Sequence, residues 1–188
     1  MKNKVKELLM PVIVLTLIAA VMAALLGGTN LLTKGQIALL SKQAKEQAVK
    51  QVIKADKYED AKINYNGTNY DYIVAKTADK TVGYAFTLSS NGYGGAVESV
   101  IGIDVSGEIT AVEITDVSGE TPGLGQNAAN ENFYGQFAGK KGSFEVVKSG
   151  AKENQISAVT GATITSKAVT NSVNLATELY NEITKKGE

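Results

Sequence analysis

The chain has 188 residues, 44% hydrophobic and 20% charged, with 19 acidic residues balanced by 19 lysines and no Arg, His, Cys or Trp. That length accommodates one domain with a real core plus an appendage. The missing residue types exclude disulfides, Fe–S ligands, the usual zinc, copper and haem sets, a His general base and bidentate guanidinium clamps on phosphate, and neutrality argues against a nucleic-acid partner. Any redox chemistry must be carried by an organic cofactor.

From Leu8 to Leu26 the chain carries no charge. At ~1.5 Å per residue this run nearly matches a hydrocarbon core of roughly 30 Å, which predicts one transmembrane helix. Ala19, Ala20, Ala23 and Ala24 would suit a signal-peptidase site. The apolar run continues past them and exceeds a signal peptide's core, so the segment is expected to stay as an anchor. Pro11 falls in the first turn of this run, where a missing N–H costs little. Lys2, Lys4, Lys6 and the terminal amine precede the span, and Lys34 and Lys42 follow it. The positive-inside rule then keeps the head in the cytoplasm and places the remaining ~160 residues outside the membrane.

Gly27-Gly28-Thr29-Asn30 is expected to break the span. Residues 34–55 have helical spacing through Ile37, Leu40, Ala44, Ala48 and Val52, which predicts a stalk. The organisation expected is a head and span over 1–28, a helical stalk over 29–60 and a domain over 61–188.

Residues 70–76 and 81–88 read as strands; in the second, Val82, Tyr84, Phe86 and Leu88 alternate, which predicts a shared face. Asn91–Gly95 is a flexible loop. Strands are predicted over 97–105 and 108–116, flanking a tight Ser106-Gly107 turn, with a bulge where the alternation slips at Ala111 and Val112. Residues 128–139 predict a short helix with Phe133 and Phe137 one turn apart, and 143–148 a further strand. From about Ser166 to Thr184, Val169, Val173, Ala176, Tyr180 and Ile183 form one apolar helical stripe. Strands followed by helices without βαβ alternation predict an α+β fold.

Two loops stand out. In Gly119–Gly125, Pro122-Gly123 suits a type II turn, and the glycines flanking Leu124 admit a flat ligand; a sharp turn after a strand explains the same pattern. In Ser157–Ser166, hydroxyls crowd a Gly-Ala pair just before a helix start, with Lys167 adjacent. An anion at the helix N-terminus and ordinary Ser/Thr capping both fit that pattern.

Thr160-Gly161-Ala162-Thr163 resembles the S/T-G-A-T flavinylation motif of the FMN-binding domain family, and Glu120–Gly125 (ETPGLG) resembles that family's second signature. Gly83–Phe86 (GYAF), Gly92–Gly95 (GYGG) and Phe133–Lys140 (FYGQFAGK) are also similar to it. Their order behind a single span resembles the G subunit of the Rnf electron-transport complex, over essentially the whole chain. The resemblance implies FMN joined through its phosphate to Thr163, a loop shaped by Thr160, Gly161 and Ala162, and Glu120, Thr121 and Leu124 near the isoalloxazine ring. It implies a separate flavin transferase, other membrane subunits as partners, and a complex coupling ferredoxin and NAD to Na⁺ or H⁺ movement. The chain departs from the family pattern at Ser157, where the motif usually has Asp, and at Ser118, where a His is frequent. No catalytic residue and no metal ligand of its own is expected. A second reading is the C subunit of the Na⁺-translocating NADH:quinone reductase, which is generally longer before ETPGLG. A third is a non-redox anchored module binding another phosphate or a polymer. A hydrolase lacks both a His base and a nucleophile elbow.

Overall fold

The computed structural model describes residues 2–187. The terminal amine of Met1 and the side chains of Lys2 and Lys4, used above for orientation, lie outside the described residues. The chain divides into two compact units, Met1–Gln43 and Ala44–Glu188.

Helix α1 (Lys2–Val52) runs without interruption through the first unit. Gly27–Asn30 therefore does not break it. Each glycine costs only about 1 kcal/mol relative to alanine in a helix, and the hydroxyls of Thr29 and Thr33 donate back to the carbonyls of Leu25 and Thr29 at 2.8 and 3.0 Å. Because α1 begins at Lys2, Pro11 lies inside the helix and not in its first turn. The apolar side chains of this segment are exposed, Leu15 at 65% and Ile18 at 53%.

In the second unit, strands β1 (Lys57–Tyr65), β2 (Thr68–Thr77), β3 (Lys80–Asn91), β4 (Ala96–Asp104) and β5 (Ile109–Asp116) form an antiparallel meander in sequence order. One face packs on α3 (Thr163–Gly187): Phe86, Leu88, Ile101, Ile103 and Val112 meet Val169, Val173, Ala176 and Leu179. The predicted stripe on α3 is thus its buried face. The other face packs on the last turns of α1, where Ala48, Val49, Val52 and Ile53 meet Ala75, Ala85 and Val100. Gly102 permits that approach, since a Cβ there would sit 2.5 Å from the Val52 carbonyl oxygen. The architecture is α+β, as the order of elements predicted.

The register differs from simple alternation in two places. Ala75 pairs with Gly83 and Lys76 with Thr81, so Val82 is an extra residue and turns to the α1 face, away from Tyr84, Phe86 and Leu88. On β5 the shift falls at Thr110, one residue before the predicted slip, and a second falls at Thr115. The bulged Thr110 hydroxyl donates to the Val52 carbonyl, tying β5 to the end of α1. Bulges bend a strand and re-aim a side chain in this way.

After β5 come a 3₁₀ turn (Gly125–Ala129), α2 (Glu131–Tyr134), a second 3₁₀ turn (Gly135–Phe137), and the parallel pair β6 (Glu145–Val147) and β7 (Gln155–Ser157). The single helix predicted for 128–139 is broken at Gly135. Phe133 and Phe137 are nonetheless both buried, and Phe137 meets Phe133 and Phe144 edge-on at 6.2 and 5.5 Å.

Candidate functional site

Three loops converge at the N-terminal end of α3. The first follows β3: Gly92 N–H donates to the Gly95 carbonyl at 2.8 Å, closing Gly92–Gly95 into a tight turn. The second follows β5. There Leu124 N–H donates to the Thr121 carbonyl at 3.1 Å, and Gly123 adopts φ +76°, so Pro122-Gly123 is a turn that needs glycine. The third joins β7 to α3 and contains Thr160–Thr163.

The third loop is held from several sides. Gln136 grips its base: its Oε1 accepts from Ser157 N–H at 2.8 Å and its Nε2 donates to the Ser157 carbonyl at 3.1 Å. The Ser166 hydroxyl accepts from Val159 N–H and donates to the Ala162 carbonyl, both at 2.9 Å. Ser166 N–H also donates to that carbonyl, at 3.0 Å, which makes Ala162 the N-cap of α3. Ordinary capping by Ser or Thr is therefore not what the hydroxyls of this loop do. Thr165 donates to Glu120 Oε2 at 2.7 Å. Among the described residues the side chains of Thr160 and Thr163 have no hydrogen-bond partner, and Thr163 is the first residue of α3.

A cleft of about 470 Å³ lies between the second and third loops, lined by Tyr93, Glu120, Thr121, Leu124, Gly161 and Thr163 among others. That volume suits a small organic ligand. Its rim holds three exposed apolar side chains, Tyr93 at 74%, Leu124 at 45% and Ile164 at 53%. Gly161 is needed there twice over: its φ is +76°, and a Cβ would lie 3.0 Å from Leu124 Cδ2. On the other side of the same loop a second cleft of about 320 Å³ is lined by Lys148, Ala158, Val159, Thr160, Gly161 and Thr163. Thr163 borders both.

Glu120 lies 3% exposed at the back of the first cleft. Burial pushes its carboxyl pKa up, but hydrogen bonds from Thr165 and from the backbone of Gly94, Gly95 and Tyr93 outweigh burial and hold it below the usual value of 4.5. It is ionised at neutral pH.

Of the expected site residues, Gly161, Ala162 and Thr163 on one wall and Glu120, Thr121 and Leu124 on the other come together at the first cleft, whereas Thr160 lines only the second. Sequence reasoning missed Ile164, Thr165 and Lys148, and used Tyr93 only as part of a motif. Ile164 and Thr165 follow the motif directly, in a first turn of α3 that lies ahead of the Ser166 start expected for this helix. Lys148 carries no local signal; β6 brings it there, through the Ala158 N–H bond to the Val147 carbonyl at 2.8 Å.

Residues 92–178 match the FMN-binding domain family. The chain is 35% identical over 92% of its length to the G subunit of the Na⁺-translocating ferredoxin:NAD⁺ oxidoreductase complex of Acetobacterium woodii, covering 91% of that protein. It belongs to the family of these G subunits. The proton-translocating counterpart from Clostridium ljungdahlii is 40% identical over 65% of this chain and 66% of that protein. The C subunit of the Na⁺-translocating NADH-quinone reductase of Parabacteroides distasonis shares the fold, with a TM-score of 0.55 at 21% identity over 72% of this chain and 89% of that one.

All three site loops of this G-subunit relative fall inside the matched FMN-binding domain. Its residues suit a flavin mononucleotide: an apolar rim for a flat ring, a Thr hydroxyl without a partner at a helix start, and one lysine lining the second cleft that this Thr borders. Ser118, the position where a His is frequent in the family, is exposed in the turn after β5, its N–H donating to Asp116 Oδ1 at 2.8 Å. Ser157 contributes its backbone to the Gln136 grip.

Proposed function

We propose that the protein is a membrane-anchored flavoprotein electron carrier, with FMN esterified through its phosphate to Thr163, serving an Rnf-type complex that couples electron transfer between ferredoxin and NAD to Na⁺ or H⁺ translocation. The observation that carries this reading is the place of Thr163, whose hydroxyl lacks a partner at the start of α3 on the rim of an apolar cleft. Attachment forms the Thr163 Oγ–P bond and breaks the bond from that phosphorus to its leaving group, which departs with the hydroxyl proton, for a net gain of one FMN less one water.

FMN supplies an acceptor of one or two electrons. The residues of this chain bind and orient it. Tyr93, Leu124 and Ile164 form an apolar seat, and Gly161 lets the loop pass close to Leu124. The first-turn N–H groups of α3, uncapped by Ala162, and Lys148 favour the phosphate charge. The chain has no Arg. An ester bond removes the need for a guanidinium clamp and for a pool of free cofactor to keep the site filled.

The uncharged, exposed run of α1 anchors the chain in the cell membrane, and the lysines ahead of it favour an extracytoplasmic domain. The partners in this reading are the other subunits of the complex and the flavin transferase. The test is intact mass and in-gel flavin fluorescence of the full chain purified from its own membranes. A mass increase of one FMN less one water, absent from Thr163→Val, is expected. An unmodified mass in the native protein overturns the reading.

A further inference from the structure

We propose that Glu120 is a positioning residue: its carboxylate latches the three site loops together and so holds Thr163 ready for attachment before any cofactor is present. This inference rests on Thr163 being the attachment point.

Every hydrogen-bonding group of Glu120 is engaged. Oε1 accepts from Gly94 N–H at 3.0 Å and Gly95 N–H at 3.4 Å, in the loop after β3. Oε2 accepts from the Thr165 hydroxyl at 2.7 Å, in the first turn of α3. Its own N–H donates to the Val117 carbonyl at 2.9 Å, and its carbonyl accepts from Gln126 Nε2 at 3.1 Å. One side chain therefore ties its own loop to segments 25–26 and 45 residues away along the chain, where loop-closure entropy disfavours bringing such segments together.

The surrounding glycines make room for the carboxylate. A Cβ on Gly92 would overlap Oε1, and a Cβ on Gly125 would overlap Oε2. Gly95 and Gly119 meet backbone to backbone, each lacking the space for a Cβ without a 3.0 Å approach to the other's Cα. Glycines of both motifs thus accommodate a buried carboxylate as well as admitting a ligand. Thr165 and backbone N–H groups of the 93–95 loop occupy its acceptor positions and it is ionised, so Glu120 has no proton to donate.

Thr165 is two residues beyond Thr163 on α3. A bond that pins Thr165 fixes the first turn of the helix, and with it the Cα of Thr163 and the bearing of its hydroxyl. Misplacing a reacting atom by about 1 Å costs up to ~10²-fold in rate.

The experiment uses the full chain in detergent, purified free of flavin, with a flavin transferase and FAD as donor. Attachment forms the Thr163 Oγ–P bond and breaks the bond from that phosphorus to AMP, which departs with the hydroxyl proton. Rates are read by in-gel fluorescence and intact mass, well below each variant's unfolding temperature. Thr165→Val is expected to lower kcat for attachment about 10-fold with KM for the protein unchanged, and Thr165→Ser to restore it. Tyr180→Phe loses a 2.8 Å hydrogen bond to the Val105 carbonyl far along α3 and serves as the destabilised control; it is expected to label at the wild-type rate. Labelling of Thr165→Val as fast as wild type, or equal slowing in Tyr180→Phe, overturns the latch while leaving Thr163 as the acceptor. A wild-type chain that takes no flavin overturns the attachment reading, and the latch with it.

Discussion

Gln136→Leu removes the grip on the base of the third loop. The Gln136 amide makes two bonds to the Ser157 backbone, at 2.8 and 3.1 Å, and its Nε2 also reaches the Phe133 carbonyl at 3.2 Å. A net 0.5–1.5 kcal/mol per hydrogen bond gives about 1–3 kcal/mol for the Ser157 pair. Ser157 is half-buried, so water recovers part of the loss, and about 1.5 kcal/mol is the figure to test. Leucine has nearly the same volume, which keeps the cavity contribution small. With a urea m-value of about 1–3 kcal/mol/M, the midpoint should fall by roughly 0.7 M with m unchanged. Amide exchange supplies the local readout: Ser157 N–H should lose protection beyond the global change, and amides in the middle of β3 should not. A midpoint within about 0.2 M of wild type, together with undiminished Ser157 protection, would refute the claim that this side chain holds the loop.

Glu120 gives the protein an acid limb. Its folded-state pKa lies below the ordinary 4.5, so its contribution is fully present above that value and is lost as pH falls through the folded pKa. Thermal midpoints of wild type should fall on acidification below about pH 4.5, with a shallower slope in Glu120→Gln; equal slopes in the two proteins would remove the pKa argument. Glu113 acts in the opposite sense, since burial and then the Glu131 charge raise its pKa, so the difference between the proteins is the informative quantity. Tyr180→Phe should cost about 1 kcal/mol by urea denaturation, because the phenol donates to the Val105 carbonyl and its ring stays packed on Tyr84 at 5.7 Å.

Strands β2 to β5 are readable in the sequence as apolar and aromatic runs bounded by turn residues, and helix α3 because its buried stripe repeats with the helical period. Strand β1 is not. Its sequence, KYEDAKINY, places charges at both parities, as an edge strand does when it discourages pairing with another chain. Without a periodic face it merges with the end of the stalk. Val82 reads as a core alternation partner of Tyr84, but a bulge is created by pairing with β2 and has no local signature. The continuity of α1 is hidden for a different reason: two glycines and two polar residues look like punctuation, yet nothing there demands a non-helical dihedral. At the site, the glycines and threonines are visible as motifs. The partition of their hydroxyls into held and unheld is not, because it depends on Glu120 arriving from a segment about 45 residues away.

That partition also separates the two open threonines. Thr165 and Ser166 are buried and bonded, to Glu120 and to the Val159–Ala162 turn. Thr160 and Thr163 remain, and both border the cleft that contains Lys148. Only Thr163 also borders the cleft lined by Tyr93, Leu124 and Ile164. A phosphate on Thr160 would have the lysine but no apolar seat for the ring it carries. A phosphate on Thr163 has both, since one residue reaches the two clefts from the ridge between them. Thr160→Val should therefore keep covalent flavin and Thr163→Val should lose it, with both proteins within about 0.5 kcal/mol of wild type in stability, because each change replaces an unbonded hydroxyl with a methyl. Intact mass after expression with a flavin transferase reads the outcome. Loss of the label from Thr160→Val and its retention in Thr163→Val would move the attachment to the exposed threonine, and the apolar cleft would then have no part in seating the ring.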